Sequence, residues 1–369
     1  MAASITGGIT GVALCTALVM SMGYSHTKPQ HNGQRYVPPA VSSARTTLPQ
    51  LTPPPSTMPP KPPAPATTIP YYRNTTQSFY ANIQGMLTAN TYPGLHDKLA
   101  KLLDQPVATW LGEWLGNGAH VESTVSTIVA SAAAAHQMPV VVSYNIPDRD
   151  LGQYSAGGLS DATAYASWID SISKGIGDRP AIVILEPDAL PGIYDMSQQD
   201  GDDRMTMLHN ALKTFTTKNP KTYVYIDSGN SKWLQPSELV ALLKNVYAGV
   251  DVSPRISLNV SNYRPTPELT AYFNTVNQLY GGNLKVLLDI GMNGAQTDIP
   301  TEDWCNPRAA RQGTPDDAVF NPDSVIEQLM VRPLGESSGE CERGDPAPGQ
   351  FNQDLAATML GQPSGQYKL

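Results

Sequence analysis

Positive charge is scarce in this chain: across 369 residues, 24 Lys and Arg are set against 32 Asp and Glu, for a formal net charge of -8. So few cations leave nothing to displace counterions from a phosphate backbone, and nucleic acid is excluded as a partner class. Cysteine is scarcer still, with only Cys15, Cys305 and Cys341. The six histidines are scattered along the chain and form no cluster with cysteine at zinc-ligand spacing. A metal site therefore has no support, and no cofactor is implied.

Two stretches lack what a core needs. Residues 5–23, ITGGITGVALCTALVMSMG, are apolar and small, the length of a signal-peptide core or a short membrane anchor, although no Lys or Arg precedes them. Residues 1–24 are therefore expected to be a signal peptide or N-terminal anchor, and the chain to be secreted or held at the cell surface. The run from 36 to 70 carries about a third of the prolines among Ser and Thr, with almost no bulky apolar side chains. This marks 25–70 as an extended, disordered linker between a membrane or wall tether and a working domain. That domain is expected over 71–369, as a single catalytic unit and a monomer. In an exported chain Cys305 and Cys341 are candidates for a disulfide closing a loop of about 36 residues; two free buried thiols are the alternative.

What is abundant is alternation. Amphipathic spacing with capping residues or prolines predicts helices over 124–137, 161–177, 203–218 and 236–249. Between them lie the β-branched runs MPVVVSYN, PAIVILEP, KTYVYIDSG, RISLNVSNY and LKVLLDIG. Continuous apolar runs of this kind suit parallel strands covered on both faces, so the expected class is α/β with a parallel sheet.

These strands share one habit: each ends in polar or carboxylate residues, namely Asp148 and Asp150, Glu186 and Asp188, Asp227, Asn259 and Asn262, and Asp289. In a barrel such ends converge on one cleft; the plainer explanation, strand ends that cap the next helix, competes at every single position. Several carboxylates together, without metal ligands or a phosphate loop, point to acid–base work on an unactivated bond such as a glycosidic one. One carboxylic acid must then keep its proton, which apolar walls and neighbouring anions achieve. Asp188, after the apolar AIVIL run and Pro187, is the best-placed candidate; Glu186 either shares the site or makes a structural hydrogen bond, and the second is expected. Flat aromatic platforms would bind sugar faces: Trp233 and Trp304 read as platforms, while Trp114 and Trp168 read as core.

Six ordered motifs carry a resemblance: YNIPDRD-x-x-x-YSAGG (144–158), VILEPDAL (183–190), YIDSGNSKWL (225–234), SLNVSNY (257–263), DWCNP (303–307) and RPLGESSGEC (332–341). Over roughly residues 105–350 the chain resembles glycoside hydrolase family 6, the inverting cellulases, most closely in their compact bacterial form. The resemblance implies a distorted, incompletely closed TIM-like parallel barrel and cofactor-free hydrolysis of β-1,4-glucan. It implies Asp188 as general acid and Asp150 as the residue that raises its pKa and helps hold the attacking water. Ser155 and Tyr144 would act beside that water, with Arg149 and Asp227 supporting the acidic cluster. Trp110, Trp233 and Trp304 would stack on glucose units, and Asn262, Arg332 and Glu336 would contact sugar hydroxyls.

The departures from the pattern are informative. Arg332 stands for the family's Lys, and Ser338 for the Asp usually taken as catalytic base. A serine cannot take the proton, so Asp150 would act through waters, Glu340 would substitute, or turnover would be low; the alternative reading is a glucan- or wall-binding pseudoenzyme. Leu151 replaces a Cys whose partner would lie near Asp195, Asn230 replaces a His, and Met292 sits where related sequences carry Arg. Short loops around the cleft, with nothing that reads as a separate cellulose-binding module, suggest endo cleavage of soluble or amorphous glucan.

Overall fold

The computed structural model describes residues 36–39, 68–89, 92–295, 297–301, 303–314 and 318–362. The expected signal or anchor segment, Cys15, and most of the expected linker lie outside them. Chain order runs β1 (Ile69–Pro70), α1 (Ser78–Ala89), α2 (His96–Leu102), β2 (Thr109–Leu111), α3 (Gly118–Ala134), β3 (Val140–Ser143), α4 (Ala162–Ile176), β4 (Ala181–Leu185), α5 (Gln198–Lys218), β5 (Thr222–Asp227), α6 (Pro236–Val246), β6 (Arg255–Leu258), α7 (Thr266–Tyr280), β7 (Lys285–Asp289), β8 (Val319–Phe320), β9 (Ile326–Leu329) and α8 (Gln353–Met359).

Seven strands pair in the order β2-β3-β4-β5-β6-β7-β9, every pair parallel. Every residue of β3 and β4 is buried, and their side chains divide by the period of two. Val141, Val183 and Leu185 face the helices, in one core with Ile172, Leu208 and Leu243. Val140, Val142, Ile182 and Ile184 face inward and meet Tyr225, Leu287 and Leu329. Each such aliphatic side chain contributes about 1.5–3 kcal/mol by leaving water, so the pattern that predicts a parallel sheet also holds it together.

The sheet curls far enough for its edges to meet at one bridge but not to form a ladder. Val107, just before β2, makes an isolated parallel bridge with Met330, just after β9, and the Trp110 indole donates to the Val331 carbonyl at 2.9 Å. With only three residues in β2, the seam cannot carry a full ladder. The result is the incompletely closed α/β barrel that the resemblance implies. A third core, of Phe79, Ile83, Leu99, Leu355 and Met359, ties α1, α2 and α8 together.

Caps set the helix starts. Asp161 accepts from the amides of Thr163 and Ala164, both at 2.9 Å, Asn117 opens α3 by accepting from His120, and Pro236 follows a Gln235–Glu238 capping box. The helices expected at 161–177 and 236–249 appear nearly in place. Those expected at 124–137 and 203–218 begin earlier, at Gly118 and Gln198, because Asn117 and Ser197 are the caps. The short strand β2 carries too little pattern to be named from sequence.

Among its described residues, the Pro-rich run touches the domain at two places. At its end, β1 pairs antiparallel with β8, and Tyr71 bridges to Met138. At its start, Tyr36 is buried, its ring edge-on to Tyr194, and its hydroxyl donates to Asp202 Oδ1 at 3.0 Å. Gly201 makes the room, since a Cβ there would lie 2.4 Å from the Tyr36 ring. Val37 and Gln198 exchange two hydrogen bonds beside it.

Candidate active site

The strands deliver their last residues to one rim, and there the backbone leaves ordinary conformations. All but one of the non-glycine residues with positive φ among the described ones lie in the loops that follow strands or flank the disulfide; His136 is the exception. They include Asp148, Asp150, Leu151, Glu186, Asp188, Asn259 and Ser261. Such strain persists only where surrounding structure over-determines it, and it gathers where side chains must be aimed.

At the end of β4, Glu186 turns inward and is wholly buried. It accepts hydrogen bonds from Ser143 Oγ (2.6 Å) and from the amides of Asn145 (2.8 Å) and Ile146 (3.0 Å), which is the structural role expected for it. Asp188 is different. Its backbone amide donates to Asp227 Oδ1 at 2.8 Å, while its own Oδ1 is buried and has no hydrogen-bond partner among the described residues. Burial first, then the charges of Asp227 and Asp150, hold its carboxyl well above the usual range, with Arg332 opposing. Such a setting favours the protonated, neutral form of a carboxyl. Asp227, wholly buried at the end of β5, also accepts from the Gly229 amide and Ser257 Oγ; burial pushes it up to about 7.

The loop after β3 brings the second acid. Arg149 is nearly buried and forms a fork-to-fork pair with Glu113 at 2.6 and 2.8 Å, and it also donates to the carbonyls of Tyr144 and Ser155. Its guanidinium lies 4.4 Å from the centre of the Tyr144 ring. Asp150 Oδ2 accepts the Ser155 amide at 2.8 Å. Burial raises the Asp150 carboxyl, against the pull of that amide and of Arg149. Tyr144, whose ring meets Trp110 edge-on at 5.2 Å, is pushed well up by burial and by Asp188 and Asp150. Glu113, unnoticed in the sequence because it sits alone in GEWLG, is the counter-ion that fixes Arg149.

Across the cleft, Asp289 proves to be a backbone staple. Its Oδ1 accepts the amides of Gly291 and Val331 and its Oδ2 those of Ser261 and Arg332, all between 2.9 and 3.1 Å. Arg332 Nη2 donates to the Glu336 carbonyl (2.6 Å) and to Ser338 Oγ (3.0 Å), and its Nε is unpaired among the described residues. Burial pushes the Glu336 carboxyl up to about 7, with Arg332 opposing. Cys305 and Cys341 form a disulfide. It joins the loop of Trp304 to that of Ser338, whose amide is held by Asn306 Oδ1 at 2.7 Å. Tyr154 packs on Trp304 and against Gly339, so the Asp150 loop and the Ser338 loop touch.

Asn262 and Asn230 bond to each other at 3.0 Å, and Asn259 braces the Asn262 and Asp289 carbonyls. Trp233 and Trp304 are exposed by 41% and 40%, as platforms require. Trp168 is core, donating to Ser143 Oγ. Two expectations are corrected. Trp114 is 56% exposed and not core, because its ring lies over Gly112, where any Cβ would clash. Asp148 points away from the rim, lining a cavity between α4 and α5. Met292 is buried in the apolar cluster around α1 and α8.

Residues 67–363 match the sequence profile of "Glycosyl hydrolases family 6". The chain is 36% identical over 267 residues to Endoglucanase 1 of Streptomyces halstedii, a match covering 71% of this chain and 80% of that protein. It is 38% identical over 289 residues to Endoglucanase A of Cellulomonas fimi, covering 78% of this chain but only 60% of that longer protein. Among solved structures, the endoglucanase Cel6 of Mycobacterium tuberculosis, in complex with a thio-linked methyl-cellobiosyl cellobioside, superposes with a TM-score of 0.70 at 31% identity. That match covers 79% of this chain and 96% of the other. The core domain of the cellobiohydrolase Cel6A of Chaetomium thermophilum, at 21% identity and a TM-score of 0.66, shares the fold.

Proposed function

The chain belongs to glycosyl hydrolase family 6, and from that membership we propose that it hydrolyses β-1,4-glucosidic bonds of cellulose-like glucan with inversion, cutting within the chain. The observation that carries the mechanism is the Asp188 carboxyl: buried, unpaired at Oδ1, and flanked by two further acids. It donates its proton to the leaving glycosidic oxygen. Asp150 keeps that proton in place by its charge and, with Ser155 and Tyr144, holds the water that attacks the opposite face of the sugar. Because position 338 is a serine already engaged by Arg332, the proton lost by that water passes to Asp150 through solvent. Glu340, the other carboxylate considered for that role, is exposed.

Arg332, Glu336 and Asn262 contact sugar hydroxyls, and Trp110, Trp233 and Trp304 stack on successive glucose rings. An open cleft, and hence endo cleavage, is supported by the shortness of the stretch from Gly291 to Trp304 and of that after Cys341, which carry no long insertion. The disulfide suits an oxidising compartment. Together with the apolar N-terminal segment, it supports a secreted or surface-held enzyme whose Pro-rich run leads to a membrane or wall tether.

Reducing-end release from carboxymethylcellulose or cello-oligosaccharides tests the reading. Asp188→Asn is expected to lower it by about 10²–10⁴, and release equal to wild type would overturn the assignment.

A further inference from the structure

Arg204, on α5, is among the largest fully buried side chains of the protein, yet it takes no part in the chemistry above. Its Nη2 donates to two backbone carbonyls, Pro147 and Asp148, each at 2.8 Å. Its Nε has no hydrogen-bond partner among the described residues. Asp148, Glu186, Tyr165 and Asp200 surround it electrostatically, but none of them is its ion-pair partner among the described residues. A guanidinium is costly to bury for two carbonyls alone, so what those carbonyls belong to matters.

They open the turn that carries Arg149 and Asp150. Asp148, Asp150 and Leu151 all have left-handed backbone, with φ of 53°, 60° and 47°, a conformation unfavourable for residues with a Cβ. Apolar packing does not support the turn on its α5 side: Pro147, Asp148 and Arg204 border a cavity of about 420 Å³ between α4 and α5. Just upstream, Glu186 holds the amides of Asn145 and Ile146. The segment from Asn145 to Asp148 is thus gripped at two amides by one buried acid and at two carbonyls by one buried base, neither reaching the cleft.

We propose that Arg204 is a positioning residue of the reaction, holding the Pro147 and Asp148 carbonyls so that Asp150 stands against Asp188 and the attacking water. The inference rests on the hydrolase reading above. If Arg204 lets go, the strained turn relaxes and Asp150 moves relative to Asp188. The substrate platform Trp233 lies on another loop and stays in place.

The test compares Arg204→Met and Arg204→Lys with wild type, Asp150→Asn and the Asp150→Asn/Arg204→Met double variant. Arg204→Met is expected to lower kcat roughly ten- to hundredfold while KM stays within about threefold. It should also move the alkaline limb of kcat/KM to lower pH, since Asp188 then loses the nearby charge of Asp150 while Asp227, Tyr144 and Arg332 remain. Arg204→Lys should restore part of both effects. In the Asp150→Asn background, Arg204→Met should cost little more. Multiplying single-variant losses, or a limb that stays put while only the melting temperature falls, would overturn the proposal and leave Arg204 as an anchor of α5. If the wild type releases no reducing ends, the hydrolase reading fails separately. Amide hydrogen exchange over 145–157 then decides the positioning role, with protection expected to drop there in Arg204→Met and unchanged protection overturning it.

Discussion

The backbone amide of Asp188 is bonded to the side chain of Asp227 at 2.8 Å, so the two acids are joined through the main chain as well as by charge. Asp227 orients the turn that presents Asp188, and its negative charge makes the Asp188 proton harder to remove.

That relationship predicts a pH effect with a definite sign. A carboxyl whose pKa is raised stays protonated until the pH passes its folded value, so the acid form of Asp188 is lost on the alkaline side. Asp227→Asn keeps an oxygen for the amides of Asp188 and Gly229 but removes the charge. The alkaline limb of kcat/KM should move to lower pH, as a property of the coupled pair. A pH–rate profile that keeps its limb would argue against Asp188 as the donor.

Ser338→Asp would set a carboxylate beside Arg332 Nη2, which now bonds the serine hydroxyl at 3.0 Å. The guanidinium would keep it ionised and able to accept a proton. Turnover on cellohexaose is expected to rise by about tenfold or more, with KM little changed. Unaltered turnover would mean that the path through Asp150 already limits nothing.

Asp289 answers four amide donors with two oxygens, and Asp289→Asn would turn an NH₂ group towards two of them. A cost of about 2–5 kcal/mol in unfolding free energy is expected, measured by denaturant titration. Burial also pushes this carboxyl up to about 6, so the folded chain binds its proton more tightly than the unfolded chain does. The resulting stabilisation is complete below about pH 4, the unfolded carboxylate range, and fades as pH rises through about 6.

Tyr36→Ala should detach the start of the Pro-rich run from α5. Loss of a buried ring costs about 3–5 kcal/mol in a core, and less here because the freed segment regains chain entropy. A lower melting temperature with unchanged kcat is the expected result. An unchanged melting temperature would mean that the seat on Gly201 adds no stability.

The strand runs and most helices were legible because they depend on local period: β-branched residues buried on two faces, apolar residues every three or four positions, and caps such as Asp161. The proposed donor Asp188 was legible for a related reason, as an acid three residues beyond a fully apolar strand. The tryptophans were only partly so. Trp233 and Trp304 follow turn residues and are exposed, but Trp114 sits in an apolar pattern that hides its position at the rim, and nothing in GEWLG announces that Glu113 faces Arg149.

By itself, the amino-acid order determined the α/β class and the series of polar strand ends, and it marked Asp188 as the proposed proton donor. Only the tertiary structure separated the strand-end acids that are held as staples from the one whose Oδ1 is left unpaired among the described residues. Glu186 and Asp289 look like Asp188 along the chain. They differ because amides from other loops, about 40 residues away in sequence, arrive at their oxygens and none arrives at Asp188 Oδ1. A carboxylate surrounded by donors is a fastening, and one buried without them is an acid. That distinction belongs to the curl of the sheet, which no local pattern records.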